Sequence, residues 1–142
     1  IIQYPNEFAV GVDLFGVANW MRTLKSIPPY WESFRKALYT EMGDPFTADS
    51  VWLKNISPLY NTDKIKTPLL VLQGTNDPRV LQIESDEIVA GAKKNGTAVE
   101  YVLFPDEGHG FVKKENQMKA SGETLKFLNK YLKKEEPAPK LN

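Results

Sequence analysis

The chain has 142 residues, 42% of them apolar and 25% charged, with 18 Lys plus Arg balancing 18 Asp plus Glu. This is the size and composition of one globular domain with a core of its own. The charge is even along the chain, seven of each sign in residues 1–66 and eleven of each in 67–142, so the basic stripe of a nucleic-acid binder is missing. Cysteine is absent, which excludes disulfides, thiolate nucleophiles and Cys-based metal sites. The single histidine, His109, excludes multi-His metal sites and must carry any imidazole chemistry the chain performs. No apolar run approaches the ~18 residues of a membrane span, and no membrane partner is expected.

The first residues, Ile1-Ile2-Gln3-Tyr4-Pro5, are neither a signal peptide nor a start at Met, so the chain is expected to begin inside a longer protein. Three apolar runs ending at breakers read as strands: Phe8 to Phe15 before Gly16, Thr67 to Gln73 before Gly74, and Val99 to Phe104 before Pro105. The second is apolar at nearly every position, as in a strand covered on both faces. Between the first two lie some fifty residues, far more than an ordinary connection. They hold Pro28-Pro29-Tyr30-Trp31, an expected helix from Glu32 to Glu41, Gly43-Asp44-Pro45, and a short helix from Ala48 to Lys54 capped by Thr47 or Asp49. Insertions of this kind often shape a binding site.

From Gln82 to Lys94, Ile88, Val89 and Ala92 recur at helical spacing, and Asn95-Gly96 supplies the stop. A last helix is expected from about Glu115 to Lys133, with Met118, Leu125, Leu128 and Leu132 as its apolar face. Residues 134–142 read as a polar tail. Strand, helix, strand, helix predicts an α/β fold of about three parallel strands with flanking helices and a long helical insertion after the first strand. Residues 1–133 form that unit.

Ligands of open α/β sheets bind beyond the carboxyl ends of the strands. Asp77 follows the second strand and His109 the third, so both are expected at that edge, one strand apart. A carboxylate there can fix the imidazole tautomer and stabilise the imidazolium. The flanking glycines, Gly108 and Gly110, allow a sharp turn. Taken singly, Asp77 also fits a turn or cap residue, and His109 a solvated loop residue. Glu107 fits either a second acid or a loop anchor, and Arg79 an ion pair with Glu84 or Asp86. Trp20, Trp31 and Trp52 fit packing better than a stacking platform.

The combination is more specific. The run Pro68 to Val80 (Pro-Leu-Leu-Val-Leu-Gln-Gly-Thr-Asn-Asp-Pro-Arg-Val), then Glu84-Ser85-Asp86, then Tyr101 to Phe111 (Tyr-Val-Leu-Phe-Pro-Asp-Glu-Gly-His-Gly-Phe) closely resembles the prolyl oligopeptidase family of α/β-hydrolase serine peptidases. The match is nearest to acylaminoacyl-peptidase-like members and covers the chain except its tail. The resemblance implies that Asp77 is the triad acid, His109 the general base, and Arg79 a substrate-binding residue. No cofactor and no metal is expected. Leu81 departs from the family, which commonly has Pro there.

One departure bears on the chemistry. The family's nucleophile elbow is Gly-x-Ser-x-Gly, and none of Ser26, Ser33, Ser50, Ser57, Ser85 or Ser121 stands in it. The order of these folds is Ser, acid, His. The chain is therefore expected to be the C-terminal half of an α/β-hydrolase catalytic domain, supplying acid and base to a serine upstream and inactive alone. Expected substrates are short peptides or acylated amino acids. The expected macromolecular partner is the upstream half, or a second copy joined through the first strand's edge. Two other readings are an esterase of dienelactone-hydrolase type and a non-catalytic α/β binding or assembly module. A phospho-accepting receiver is rejected, because the first strand ends Leu14-Phe15-Gly16 without the acidic cluster a receiver needs.

Overall fold

In a computed structural model, which describes residues 1–27 and 29–133, the three apolar runs form one parallel sheet in the order β1-β2-β3. The strands are β1 (Gly11–Leu14), β2 (Leu69–Gly74) and β3 (Val99–Phe104). Gly11 pairs with Leu69, and Leu69 with Val99. β1 is shorter than its apolar run. Pro68 has no N–H to extend β2 backwards, so residues before Gly11 lack a ladder partner, and Phe8 is exposed. At the other end Phe15 turns out of the strand at φ 54°.

β2 is buried along its whole length. Leu70, Val71 and Leu72 have no exposed surface, and each such side chain contributes about 1.5–3 kcal/mol through burial. Alternate residues of β2 feed two cores. Leu69 and Val71 pack with Ile65 and with Ile88, Val89 and Ala92 of α4 (Gln82–Lys94). Leu70 and Leu72 pack with Phe104 and with Ala120 and Phe127 of α5 (Lys114–Leu132). One long helix thus covers each face of the sheet.

α4 has the expected bounds, and its stop is made by Asn95 and by Gly96 at φ 78°. α5 forms where expected but buries a different face. Ala120 and Phe127 point to the sheet, whereas Met118, Leu125 and Leu132 are more than half exposed. The large Phe127 ring takes the core position, its centroid 4.8 Å from that of the tilted Tyr131 ring. Leu125 and Leu128 instead line an open groove of about 470 Å³ beside Leu14 and Leu72.

The insertion between β1 and β2 holds α1 (Trp20–Lys25), α2 (Arg35–Met42) and α3 (Asp49–Ile56), with 3-10 turns at Pro29–Phe34 and Pro58–Lys64. The first 3-10 turn takes the residues expected to begin α2. α3 has no side-chain cap; Thr47 Oγ1 accepts from the Asp49 N–H at 3.3 Å, and Asp49 instead receives the Asp44 N–H at 3.1 Å. α1 is pinned to α4 by Glu84. That buried carboxylate accepts the N–H groups of Ala18 (3.1 Å) and Asn19 (2.5 Å) and pairs with Arg22 at 3.3 Å. Burial pushes the Glu84 carboxyl up, against the pull of those N–H groups and Arg22. The expected polar tail, 134–142, lies outside the described residues, as does Pro28.

Candidate active site

Adjacent parallel strands end side by side, so the loops leaving β2 and β3 meet. They touch at Gly74, where a Cβ would stand 2.3 Å from the Gly108 carbonyl oxygen and 2.6 Å from that of Glu107. Backbone bonds lace them together: the Thr75 N–H donates to Phe104 O and the Asn76 N–H to Glu107 O, both at 3.0 Å. The side chains of Thr75 and Asn76 both reach Pro105 O, at 3.0 and 2.8 Å.

This lacing brings Asp77 to His109. Asp77 Oδ2 lies 2.8 Å from His109 Nδ1. Its other oxygen, Oδ1, accepts the N–H groups of Arg79 (2.8 Å) and Val80 (2.9 Å). The Asp77 side chain is wholly buried, while that of His109 is 31% exposed. The carboxylate is therefore fixed by its own loop, and the imidazole presents its second nitrogen, Nε2, away from Asp77. Gly110, at φ 130°, makes the turn after His109 that the sequence anticipates.

Glu107 is the loop anchor of the two readings open for it. Its buried carboxylate accepts the N–H groups of Val112 (3.0 Å) and Lys113 (2.9 Å) and the amide of Asn116 (2.8 Å). These donors, the Val112 N–H first, hold it below the ordinary 4.5. Its stabilisation is present above that ordinary value and is lost as pH falls through the lower folded one. Glu107→Gln is accordingly expected to lower the thermal midpoint at neutral pH, with the gap to the parent closing as the medium is acidified below pH 4.5. Melts across that range check this; a gap independent of pH would contradict it.

Arg79 does not form the ion pair with Glu84 or Asp86 that was its alternative reading. Glu84 is held by Arg22, and Asp86 accepts the Tyr101 hydroxyl at 2.8 Å. The Arg79 guanidinium instead lies 5.1 Å from the centroid of the Trp31 ring, a cation–π contact. Trp31 and Trp20 pack at the site, whereas Trp52 is 59% exposed. Beside His109 opens an apolar cavity of about 380 Å³, walled by Phe15, Trp20, Leu24, Trp31, Leu38 and Val80. The insertion thus supplies most of a pocket at the imidazole.

Two contributors escape a reading of the sequence. Phe15 sits in the left-handed region with its ring 5.3 Å from that of His109 and 4.9 Å from that of Phe111. Such a conformation costs a non-glycine residue about 1–3 kcal/mol and persists where the surroundings over-determine it. Its only sequence signal is a bulky residue just before Gly16. The other is Gln73, a polar residue in an otherwise apolar strand, with no exposed surface.

The sequence profile of the prolyl oligopeptidase family matches residues 1–135. The chain belongs to the prolyl oligopeptidase family. It is 50% identical over 125 residues to dipeptidyl aminopeptidase BIII of Pseudoxanthomonas mexicana, covering 87% of this chain and 18% of that protein. It is 42% identical over 130 residues to dipeptidyl peptidase family member 6 of Caenorhabditis elegans, covering 90% and 18%. Among solved structures, the Pyrococcus horikoshii acylaminoacyl peptidase superposes with a TM-score of 0.80 at 24% identity, over 97% of this chain and 22% of that one. A puromycin-hydrolyzing peptidase of Mycobacterium tuberculosis gives 0.79 at 22%, over 89% and 19%. The fold is that of α/β-hydrolase peptidases, and this prolyl oligopeptidase family chain spans about a fifth of the length of these relatives.

Proposed function

We propose that this chain is the acid–base part of a serine peptidase, in which Asp77 orients His109 and His109 relays a proton between a serine outside these 142 residues and the leaving group. The observation that carries the reading is the 2.8 Å contact between a wholly buried carboxylate, anchored by two backbone N–H groups, and a half-buried imidazole at the carboxyl ends of adjacent parallel strands. In the reaction, His109 Nε2 takes the serine proton as the hydroxyl attacks an acyl carbonyl. It then returns that proton to the departing amine, while Asp77 stabilises the imidazolium between the two steps. Among the described residues no serine hydroxyl is hydrogen-bonded to His109. Ser57 donates to Leu53 O at 2.6 Å and Ser85 to Gln73 at 2.9 Å.

The sheet supports a partner that brings the serine. Among the described residues β1 pairs with β2 on one side only. Apolar grooves of about 810 Å³, lined by Ile2, Phe8 and Trp52, and about 470 Å³, lined by Leu14, Leu125 and Leu128, flank it. A further strand with a covering helix would fill them, and the exposed leucine face of α5 would then be interior. An open apolar strand edge templates pairing. The chain alone is expected to self-associate through β1 or to stay bound to an upstream half. Light scattering over a concentration series checks this, and a stable monomer that unfolds cooperatively would contradict it.

The cavity beside His109 supports peptide or acyl-amino-acid substrates with a bulky apolar side chain next to the scissile bond. Arg79, in cation–π contact with Trp31 at its rim, would in this reading grip a substrate carbonyl. Arg79→Ala is expected to reduce the preference for peptides over simple esters by about tenfold, the worth of one charge-assisted hydrogen bond. Trp31→Ala should reproduce part of that loss by freeing the guanidinium. Unchanged selectivity in both variants would remove the role.

A fluorophosphonate probe tests the whole reading. The chain alone should label at none of its six serines, and the full-length protein carrying it should label at one serine upstream. Labelling within the 142 residues, or none in the full-length protein, would overturn it. An esterase would differ in the substrates turned over, not in the labelled atom.

A further inference from the structure

Gln73 is the one polar side chain projecting from the buried central strand, and it has no exposed surface. An unsatisfied carboxamide in such a place costs several kcal/mol, so where its hydrogen bonds go is informative. Nε2 donates to the carbonyls of Gly74 at 2.9 Å and Val80 at 3.0 Å. Both partners can only accept, which fixes the amide orientation. Oε1 therefore faces Ser85, whose hydroxyl donates to it at 2.9 Å from the first turn of α4, also without exposure. Gly74 and Val80 are the two ends of the loop that carries Asp77. The same Nε2 makes a longer approach of 3.5 Å to Asp77 Oδ2, the oxygen that meets His109.

We propose that Gln73, locked by Ser85, is a positioning residue for the catalytic acid. This inference rests on the hydrolase reading above. Gln73 clamps the loop from below at both ends, so Oδ1 stays on its two N–H groups and Oδ2 stays on the imidazole. It also turns the positive edge of its amide toward the carboxylate. A residue serving only to fill the strand could be a leucine or methionine, because a fully apolar core position needs no such network. The groups facing Asp77 are His109 and the neutral Gln73. Arg79 touches it through its backbone only, and Glu107 is turned to its own loop.

The test uses the full-length enzyme carrying this chain, with Gln73→Met, Gln73→Glu, Ser85→Ala and, as control, Asp77→Asn. Both Gln73 variants withdraw the amide from Asp77, and the glutamate can add a negative charge beside it. The acid limb of the kcat/KM profile should then move to higher pH, by about half a unit or more in Gln73→Glu and by less in Gln73→Met. The kcat should fall about 10- to 100-fold, the scale set by a small misplacement of a catalytic group, with KM changing far less. Ser85→Ala removes only the lock and should shift the limb the same way by a smaller amount. It decides the matter if the Gln73 variants do not fold. An acid limb in its original place in every folded variant, with kcat falling only as the folded fraction falls, would overturn the inference. If the Asp77→Asn control keeps its turnover, the hydrolase reading fails and takes this inference with it. If the control is inactive and the Gln73 and Ser85 variants titrate like the parent, only this inference fails.

Discussion

Replacing Asp77 with Asn in the proposed peptidase is expected to lower turnover by about 10⁴, the loss known when a serine-protease triad acid is made an amide, with little change in KM. The reason lies in which oxygen is already taken. Asp77 Oδ1 accepts two backbone N–H groups, at 2.8 and 2.9 Å, and the amide oxygen of an asparagine would stay there. Its NH₂ group would then face His109 Nδ1, which must become an acceptor. The ring proton would move to Nε2, the nitrogen that has to receive the serine proton. The loop geometry would survive and the base would be lost. Comparing kcat and KM of the variant and parent on one peptide substrate checks this. Turnover within tenfold of the parent would show that Asp77 is not the acid.

The second large effect is expected at Gly74→Ala. A Cβ there would stand 2.3 Å from Gly108 O and 2.6 Å from Glu107 O, both main-chain atoms that cannot swing aside. The strand end and the His109 loop would have to separate by about an ångström. That would strain the bonds from Thr75 to Phe104 and from Asn76 to Glu107 and open the Asp77–His109 contact. Overpacking of this kind costs about 1–3 kcal/mol, and a displacement of that size at a catalytic pair costs about 100-fold in rate. The denaturant midpoint of unfolding and kcat should both fall. A variant as stable and as active as the parent would mean that the two loops are not in contact.

Much of the fold was legible because it is built from local signals. α4 follows from three apolar residues at helical spacing and an Asn-Gly stop, and β3 from a six-residue run closed by Pro105. Less legible was whatever depends on distant partners. β1 is four residues rather than eight because its neighbour cannot extend past Pro68. α1 is only six residues long and is held by Glu84, 65 positions from Asn19, so nothing near it in sequence announces a helix. The leucines of α5 suggested its core face, but Phe127 and Ala120 fill the space against β2, and the leucines border a groove.

The site divides in the same way. Asp77 and His109 were readable because each follows a strand by a few residues, and adjacent parallel strands must place their ends together. Glu107 was ambiguous because its neighbours in sequence are compatible with either role; the N–H groups of Val112 and Lys113 decide it. The Trp31–Arg79 contact and the apolar cavity join residues on opposite sides of β2 in the sequence, which periodicity cannot connect. Gln73 did carry a signal, a polar residue inside a buried strand, but its partners Val80 and Ser85 appear only when the loop and α4 fold back over it.

The central claim is that His109, oriented by Asp77, activates a serine that lies outside this chain. The rate at which a fluorophosphonate labels the full-length protein measures that activation directly, because the probe needs the nucleophile and its base but no substrate-binding subsites beyond them. His109→Gln should slow labelling by several orders of magnitude while the protein melts close to the parent, the imidazole being partly exposed and bonded only to Asp77 among the described residues. A labelling rate unchanged by the substitution would contradict the account.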